Sequence, residues 1–467
     1  MGGDMPEPLV IINAVGLTSR YLANAPHLAA LANKGWRRTF REVLPAVTCT
    51  AQATLLTGKM PDQHGIVANG WLFRDTNEVR FWQQSNRLIE AEPIYATAKR
   101  RAVTRGRSLK IAKFFWWFNQ GAAVDLSVTP KPHNGIDGRK AFDISTAPPE
   151  LRDSLVSQLG PFPFTAFWGP MAGLKSSKWI AAAAAVTLLD HRPDLVLVYL
   201  PHLDYDPQRF GPSGCDMARL VRELDEATVP LLDAAKALGA RVWVVSEYGH
   251  HDVITPIFPN RALRNAGLLA VRPGPFGEQL DLYGSQAFAV CDHQLAHIYV
   301  RNPADVPRVT EIISQLPGVD RVLIGDQRNE FHLSHARSGE IVALAKPEAW
   351  FAYPFWLDDR FAPDFACCVA IHSKPGFDPC ELFFEPGIRF PRIRVARKLL
   401  QQALGFRMTM DMIPLDASIV HGSHGLTAPD DIDRPIWIGD GPPPSEGPVR
   451  MTGFRVAILN ALGLPDE

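Results

Sequence analysis

Three short, uninterrupted apolar runs set the strongest limit on what this chain can fold into: LVII at 9–12, LVLVYL at 195–200 and the core of ARVWVVS at 240–246. They lack polar alternation and are rich in β-branched residues, so as strands they must be buried on both faces. Each is coupled to a helical pattern. APHLAALANKG follows the first run and is stopped by Gly35, and a helix over Lys178 to Leu189 precedes the second. A helix opening at Asp216 precedes the third, with Leu220, Leu224, Ala227, Leu231, Ala234 and Leu238 on one stripe and Pro230 placed to kink it. This alternation predicts an α/β fold with a mostly parallel sheet covered by helices on both faces. RRTFREV, VDRVLIG and EIVALA read as further strands of the same scheme, VPRVTEIISQL and FRVAILNALG as helices.

A chain of 467 residues, 46% hydrophobic and 21% charged, can bury a large core, and we read residues 7–467 as one domain. Two Pro- and aromatic-rich excursions, near 114–170 and 347–390, interrupt the pattern as caps over a site or as ordinary surface insertions. With 48 basic and 49 acidic residues, no global field recruits nucleic acid or an anionic membrane. Six cysteines without a C-x-x-C pair fit a reducing compartment. MGGDMPEPLVIINAV lacks the features of a secretory leader, and IAAAAAVTLL is too short to span a bilayer, so a cytoplasmic protein is expected.

Open α/β sheets bind ligands at the carboxyl ends of their strands, which directs attention to four places. In PAVTCTAQATLLTG, Thr48 follows a strand and opens a helix, where unpaired N–H groups favour an oxyanion; a simple helix cap explains it equally well. LPHLDYDPQRFGP carries His202, Asp204, Asp206 and Gln208, with Asp204 and Asp206 either metal ligands or the carboxylates of a capping turn. In SEYGHHD, Glu247 is the best-placed acid. His250 and His251 are adjacent on a turn and should diverge, which leaves at least one at the surface. HGSHG brings His421 and His424 into a Gly-rich loop suited to zinc. His293 and His297 are four apart and expected on one face, His297 as a hydrogen-bonded core residue. The aromatic run Phe114–Phe118 reads as core or as a wall that stacks a flat leaving group.

Taken in order, PAVTCTAQATLLTGKMPDQHGIVANG, the Asp204 segment with its Gly211-Pro212, SEYGHHD and SHGLTAPDDIDRPIWIGDGP resemble the type I phosphodiesterase and nucleotide pyrophosphatase branch of the alkaline phosphatase superfamily, over most of the chain. That resemblance implies an alkaline-phosphatase-like three-layer sandwich. It implies Thr48 as nucleophile, Asn69 as hydrogen-bond donor to a nonbridging phosphoryl oxygen, and Asp204 and His424 as metal ligands. It also implies a divalent metal cofactor, zinc, as one ion or two. The departures fall on the metal set. Val15 stands where the family has an Asp, Gln208 where it has a His, and Glu247-Tyr248 where it has Asp-His.

One metal position therefore keeps only Thr48 and Glu247, with Asn13 as a weak amide ligand. The other keeps Asp204 and His424 and needs a third ligand, for which His202 and His293 are the candidates. A sulfatase reading fits less well, since Cys49 is not followed by the Pro and Arg such nucleophiles use. The resemblance implies a metal-dependent hydrolase of phosphodiester, pyrophosphate or phosphomonoester bonds, acting on a small-molecule or nucleotide-like substrate. Glu247 would then be a ligand or base. The alternative is a noncatalytic member of the fold that binds a metabolite or partner.

Overall fold

The computed structural model describes residues 7–136, 140–406, 409–443 and 449–465. Strand Leu9–Ala14, buried throughout, lies at the centre of a nine-stranded sheet. It pairs in parallel with Leu195–Leu200 on one side and Arg241–Val245 on the other, so the three apolar runs are neighbours. Beyond Leu195–Leu200 come Ile111–Phe114 and Leu126–Asn134, also parallel, then Lys140–Ala147 as an antiparallel edge. Beyond Arg241–Val245 the sheet continues with Ile436–Gly439, antiparallel, then Trp36–Arg41 and the short Val449–Arg450. Burial of the central strands on both faces requires helices on both sides.

Helix Leu174–His191 is Ala-rich and packs against Met217–Ala237, whose Asp216 caps it by accepting from the Arg219 N–H. That helix runs unbroken through Pro230, and its buried residues include Leu220, Leu224, Ala227, Leu231 and Ala234. The closing helix is Phe454–Ala461.

VDRVLIG and EIVALA do not extend the parallel sheet. They form Val319–Ile324 and Ile341–Ala345 in a separate four-stranded antiparallel sheet with Ala287–Asp292 and Leu295–Val300. His293 and Gln294 alone join Ala287–Asp292 to Leu295–Val300, which makes that hairpin antiparallel, and its second strand offers the edge on which Ile341–Ala345 and then Val319–Ile324 pair. This sheet has its own apolar cluster, which takes in Val309 and Ile313 of the helix Val306–Ser314. Its hairpin turn carries His293, in the left-handed region at φ 57°, and delivers Asp292 and His293 toward the carboxyl ends of the central strands. Because this turn intervenes, His293 and His297 do not share a face as expected. No helix among the described residues is long and apolar enough to cross a membrane.

Candidate active site

Each central strand ends in a segment that turns over the sheet: Val15 onward after the first, Pro201–Asp204 after Leu200, and Ser246–His250 after Val245. Thr48 reaches the same place from the helix Thr48–Thr57, all ten residues of which are buried. Val47 occupies the cap position and no side chain caps the helix, so Thr48 is not spent on capping. Its hydroxyl lies 2.8 Å from Tyr248 Oη, and Tyr248 donates to Asp204 Oδ1 at 3.3 Å. A tyrosine has one hydroxyl hydrogen and a carboxylate has none, so Thr48 is the donor to Tyr248. Burial holds the Tyr248 phenol well above its ordinary value, with Asp204 and Glu247 adding to the effect.

Asp204, His250 and His424 converge, with one potential ligand atom of each within 4.8 Å of the others. His250 Nε2 is 3.1 Å from Asp204 Oδ1, and His424 Nε2 is 3.7 Å from the same oxygen. His424 Nδ1 donates to the Ala46 carbonyl at 2.8 Å, which fixes the tautomer and leaves the Nε2 lone pair directed at the carboxylate. Burial, with His293 beside it, holds His424 well below the usual imidazole range. Burial opposes ionisation of Asp204. The His250 hydrogen bond, both imidazoles and the Gln208 amide nevertheless keep it below the ordinary carboxylate value. The His424 Nε2 lone pair and the Asp204 oxygen face each other without a hydrogen between them, with His250 Nε2 beside the same oxygen, and two imidazoles and a carboxylate so placed suit a divalent cation.

The neighbouring position is built differently. Glu247 is fully buried, and its Oε1 accepts from Asn13 Nδ2 at 2.5 Å and from Gln52 Nε2 at 2.7 Å. Gln52 cannot be turned round, because its Oε1 accepts the Trp117 backbone N–H at 2.7 Å. Burial pushes the Glu247 carboxyl up to about 8 despite these donors. Both amide donors fall on Glu247 Oε1 and the aliphatic Val15 offers no ligand atom, while Glu247 Oε2 and Asn13 Oδ1 are left without partners. Asn13, expected as an amide-oxygen ligand, instead presents its nitrogen to Glu247.

His202 turns away to Glu223, 3.1 Å from it, and Asp206 pairs with Arg209 and Arg219. His293 stacks on Phe377 with centroids 3.7 Å apart, and its ring also lies against His424. The third member of the constellation is His250 instead. Its neighbour His251 bonds Gln294, so the adjacent pair diverges as read, but neither imidazole is exposed at the surface, where at least one was expected, because each finds a partner inside. His297 is a core residue bonded to the Val67 carbonyl. Asn69 accepts the Cys49 N–H at 2.9 Å and donates to Asp292, whose carboxyl burial raises to about 7.

Sequence reasoning took Tyr248 only as a lost metal ligand and passed over Gln52. The signal for Gln52 was its place one helical turn beyond Thr48, on the same face.

Thr48 and Asp204 sit at the floor of a cleft of about 1100 Å³. Its walls include Trp117, Phe142 and Trp168 from the first excursion and Val369–Ser373 from the second. Of the aromatic run, Phe114, Phe115 and Trp116 belong to the core, whereas Trp117 faces the cleft.

Residues 9–378 match the family described as type I phosphodiesterase / nucleotide pyrophosphatase. The chain is 24% identical over 230 residues to ectonucleotide pyrophosphatase/phosphodiesterase 1 of Saccharomyces cerevisiae, a stretch covering 45% of this chain and 28% of that protein. It is 24% identical over 238 residues to an uncharacterized pyrophosphatase/phosphodiesterase of Schizosaccharomyces pombe, covering 49% and 41%. The match thus spans less than half the length of either curated relative. Phosphonoacetate hydrolase from Sinorhizobium meliloti 1021, solved with phosphonoformate, superposes with a TM-score of 0.60 at 15% identity over 98% of this chain and 96% of that one. Human ectonucleotide pyrophosphatase / phosphodiesterase 5 superposes with a TM-score of 0.61 at 14% identity over 99% and 96%. The murine form of the latter has been solved as an inactive variant in complex with AMP. The fold is alkaline-phosphatase-like, and with its matched stretch reaching from the first strand to the second excursion, this chain belongs to the type I phosphodiesterase / nucleotide pyrophosphatase family.

Proposed function

We propose that this protein is a one-metal hydrolase of phosphate esters with Thr48 as its nucleophile. The observation that carries the reading is the chain of contacts from Thr48 through Tyr248 to Asp204, beside the convergent Asp204, His250 and His424. Two imidazoles and a carboxylate match zinc best, with Asp204, His250 and His424 as its holders. A divalent ion there supplies Lewis acidity toward the phosphoryl oxygens.

The chain's own groups do the rest. Tyr248 orients the Thr48 hydroxyl so that its lone pairs face the cleft. Thr48 Oγ attacks phosphorus as its proton passes to Tyr248 and the Tyr248 proton to Asp204, the bond to the leaving oxygen breaks and that oxygen takes a proton from solvent, and water then hydrolyses the phosphothreonine. One Asn69 amide hydrogen is donated to Asp292, which leaves the other for a nonbridging phosphoryl oxygen. Glu247 is a positioning residue: through Gln52 it ties the Thr48 helix to Trp117 of the cleft wall.

The cleft speaks to the leaving group. No lysine or arginine is among its described lining residues, whereas Trp82, Trp117, Phe142, Phe164 and Trp168 are. Such a lining receives a flat or apolar alcohol better than a second phosphate, which favours a phosphodiester over a pyrophosphate. The test is Thr48→Ala assayed on an aryl phosphodiester together with bound zinc. Loss of turnover with zinc retained is the expected result. Unchanged turnover would overturn the nucleophile assignment.

A further inference from the structure

We propose that the helix Pro391–Ala403 and the residues flanking it form a docking face for an anionic phospholipid bilayer. The face is apolar and open to solvent: Phe390, Ile393, Leu399, Leu400, Leu404 and Phe406 are 46–66% exposed. Ile393, Leu400 and Leu404 recur at steps of seven and four, which places them along one side of the helical path. A surface helix of a water-soluble domain normally turns such a stripe inward. Here it is turned out.

Charge selects the occupant. Between Glu385 and Asp411 the chain carries Arg389, Arg392, Arg394, Arg397, Lys398 and Arg407 and no acidic residue. The near-neutral balance of the whole protein, −1, conceals this local cationic run. Arg394 and Lys398 are paired with Asp411, whereas Arg389 and Arg397 are exposed among the apolar residues; this interleaving matches an interfacial helix, whose apolar side enters the acyl boundary while its exposed cations meet anionic headgroups. A second copy of the chain is a poorer occupant, because pairing two such helices would bring like charges together.

The face is also tied to the cleft. Arg394 and Lys398 hold Asp411, and Asp411 bridges to Cys368, immediately before the cleft-lining Val369–Ser373. Docking therefore bears on the segment that forms one wall of the cleft. The docking proposal does not depend on the catalytic reading.

The test is flotation of the full-length protein with vesicles of phosphatidylcholine alone and of phosphatidylcholine mixed with phosphatidylglycerol. The expected result is partition onto the anionic vesicles, released by high salt and weak on the neutral ones. Leu400→Asp/Leu404→Asp should lower that partition roughly tenfold or more, since each leucine withdrawn from lipid removes a substantial apolar contact. Both side chains are exposed, so the variant should fold and keep wild-type turnover of a soluble phosphoester. The proposal would be overturned by no vesicle binding of the wild type, by equal binding to both vesicle types, or by unchanged binding of the variant. A wild-type dimer that the variant dissolves would also overturn it, in favour of a contact between copies.

Discussion

Replacing Glu247 by Gln separates a buried neutral acid from a metal ligand. The Glu247 carboxyl sits at about 8 in the folded protein against an ordinary value of 4.5, and burial is the leading cause. The folded state therefore binds the proton more tightly than the unfolded chain does. Its contribution to stability is fully present below about pH 4.5 and is lost as pH rises through about 8. At about 1.4 kcal/mol per pH unit, the interval sets a ceiling of about 5 kcal/mol on the loss.

Glutamine keeps the oxygen that accepts from Asn13 and Gln52. It also places an amide where Glu247 Oε2 has no partner. Urea midpoints measured between pH 5 and 8.5 should fall steeply for the wild type and less steeply for Glu247→Gln. A residual slope of the same sign should come from Asp292, raised to about 7. Bound metal should be unchanged. A variant with the wild-type pH slope, or one that loses its metal, would refute the reasoning.

Other substitutions probe the remaining parts. Tyr248→Phe keeps the ring stacked on His424 but removes the partner of a buried Thr48 hydroxyl. Turnover should fall about 10- to 100-fold, the equivalent of about 1–3 kcal/mol of lost positioning, with metal affinity altered little. His250→Ala should weaken zinc binding strongly in a competition titration, while His202→Ala, which loses only its Glu223 contact, should not. Trp117→Ala and Trp168→Ala should raise KM for an aryl diester by about tenfold, with smaller effects on a methyl ester that cannot fill the cleft.

The frame of this fold was readable because its central strands are buried on both faces, a state that leaves an unbroken apolar run. Thr48, Asp204 and His424 were singled out by the order of segments that resembles the family, since from the residues alone Thr48 and Asp204 read as caps too. The assignment of VDRVLIG and EIVALA to the main sheet failed for a definite reason: a strand's own residues record its burial and not its partner, and the edge of the hairpin 287–300 supplied that partner. His250 was visible as half of an adjacent pair. That neighbours on a turn diverge was sound, yet it did not say which imidazole would turn inward. Tyr248 was weighed only as a missing ligand, when its hydroxyl serves instead as a hydrogen-bond bridge between Thr48 and Asp204. Gln52 lies within a helix buried on every side, where no amphipathic contrast sets it apart.

The most direct test of a one-metal Thr48 hydrolase is the zinc content of the protein, read together with an anomalous-scattering map at the zinc edge. The account predicts one ion per chain, held by Asp204, His250 and His424, with no scattering peak between Thr48 and Glu247. A second ion at Glu247, or a protein active without any bound metal, would contradict it.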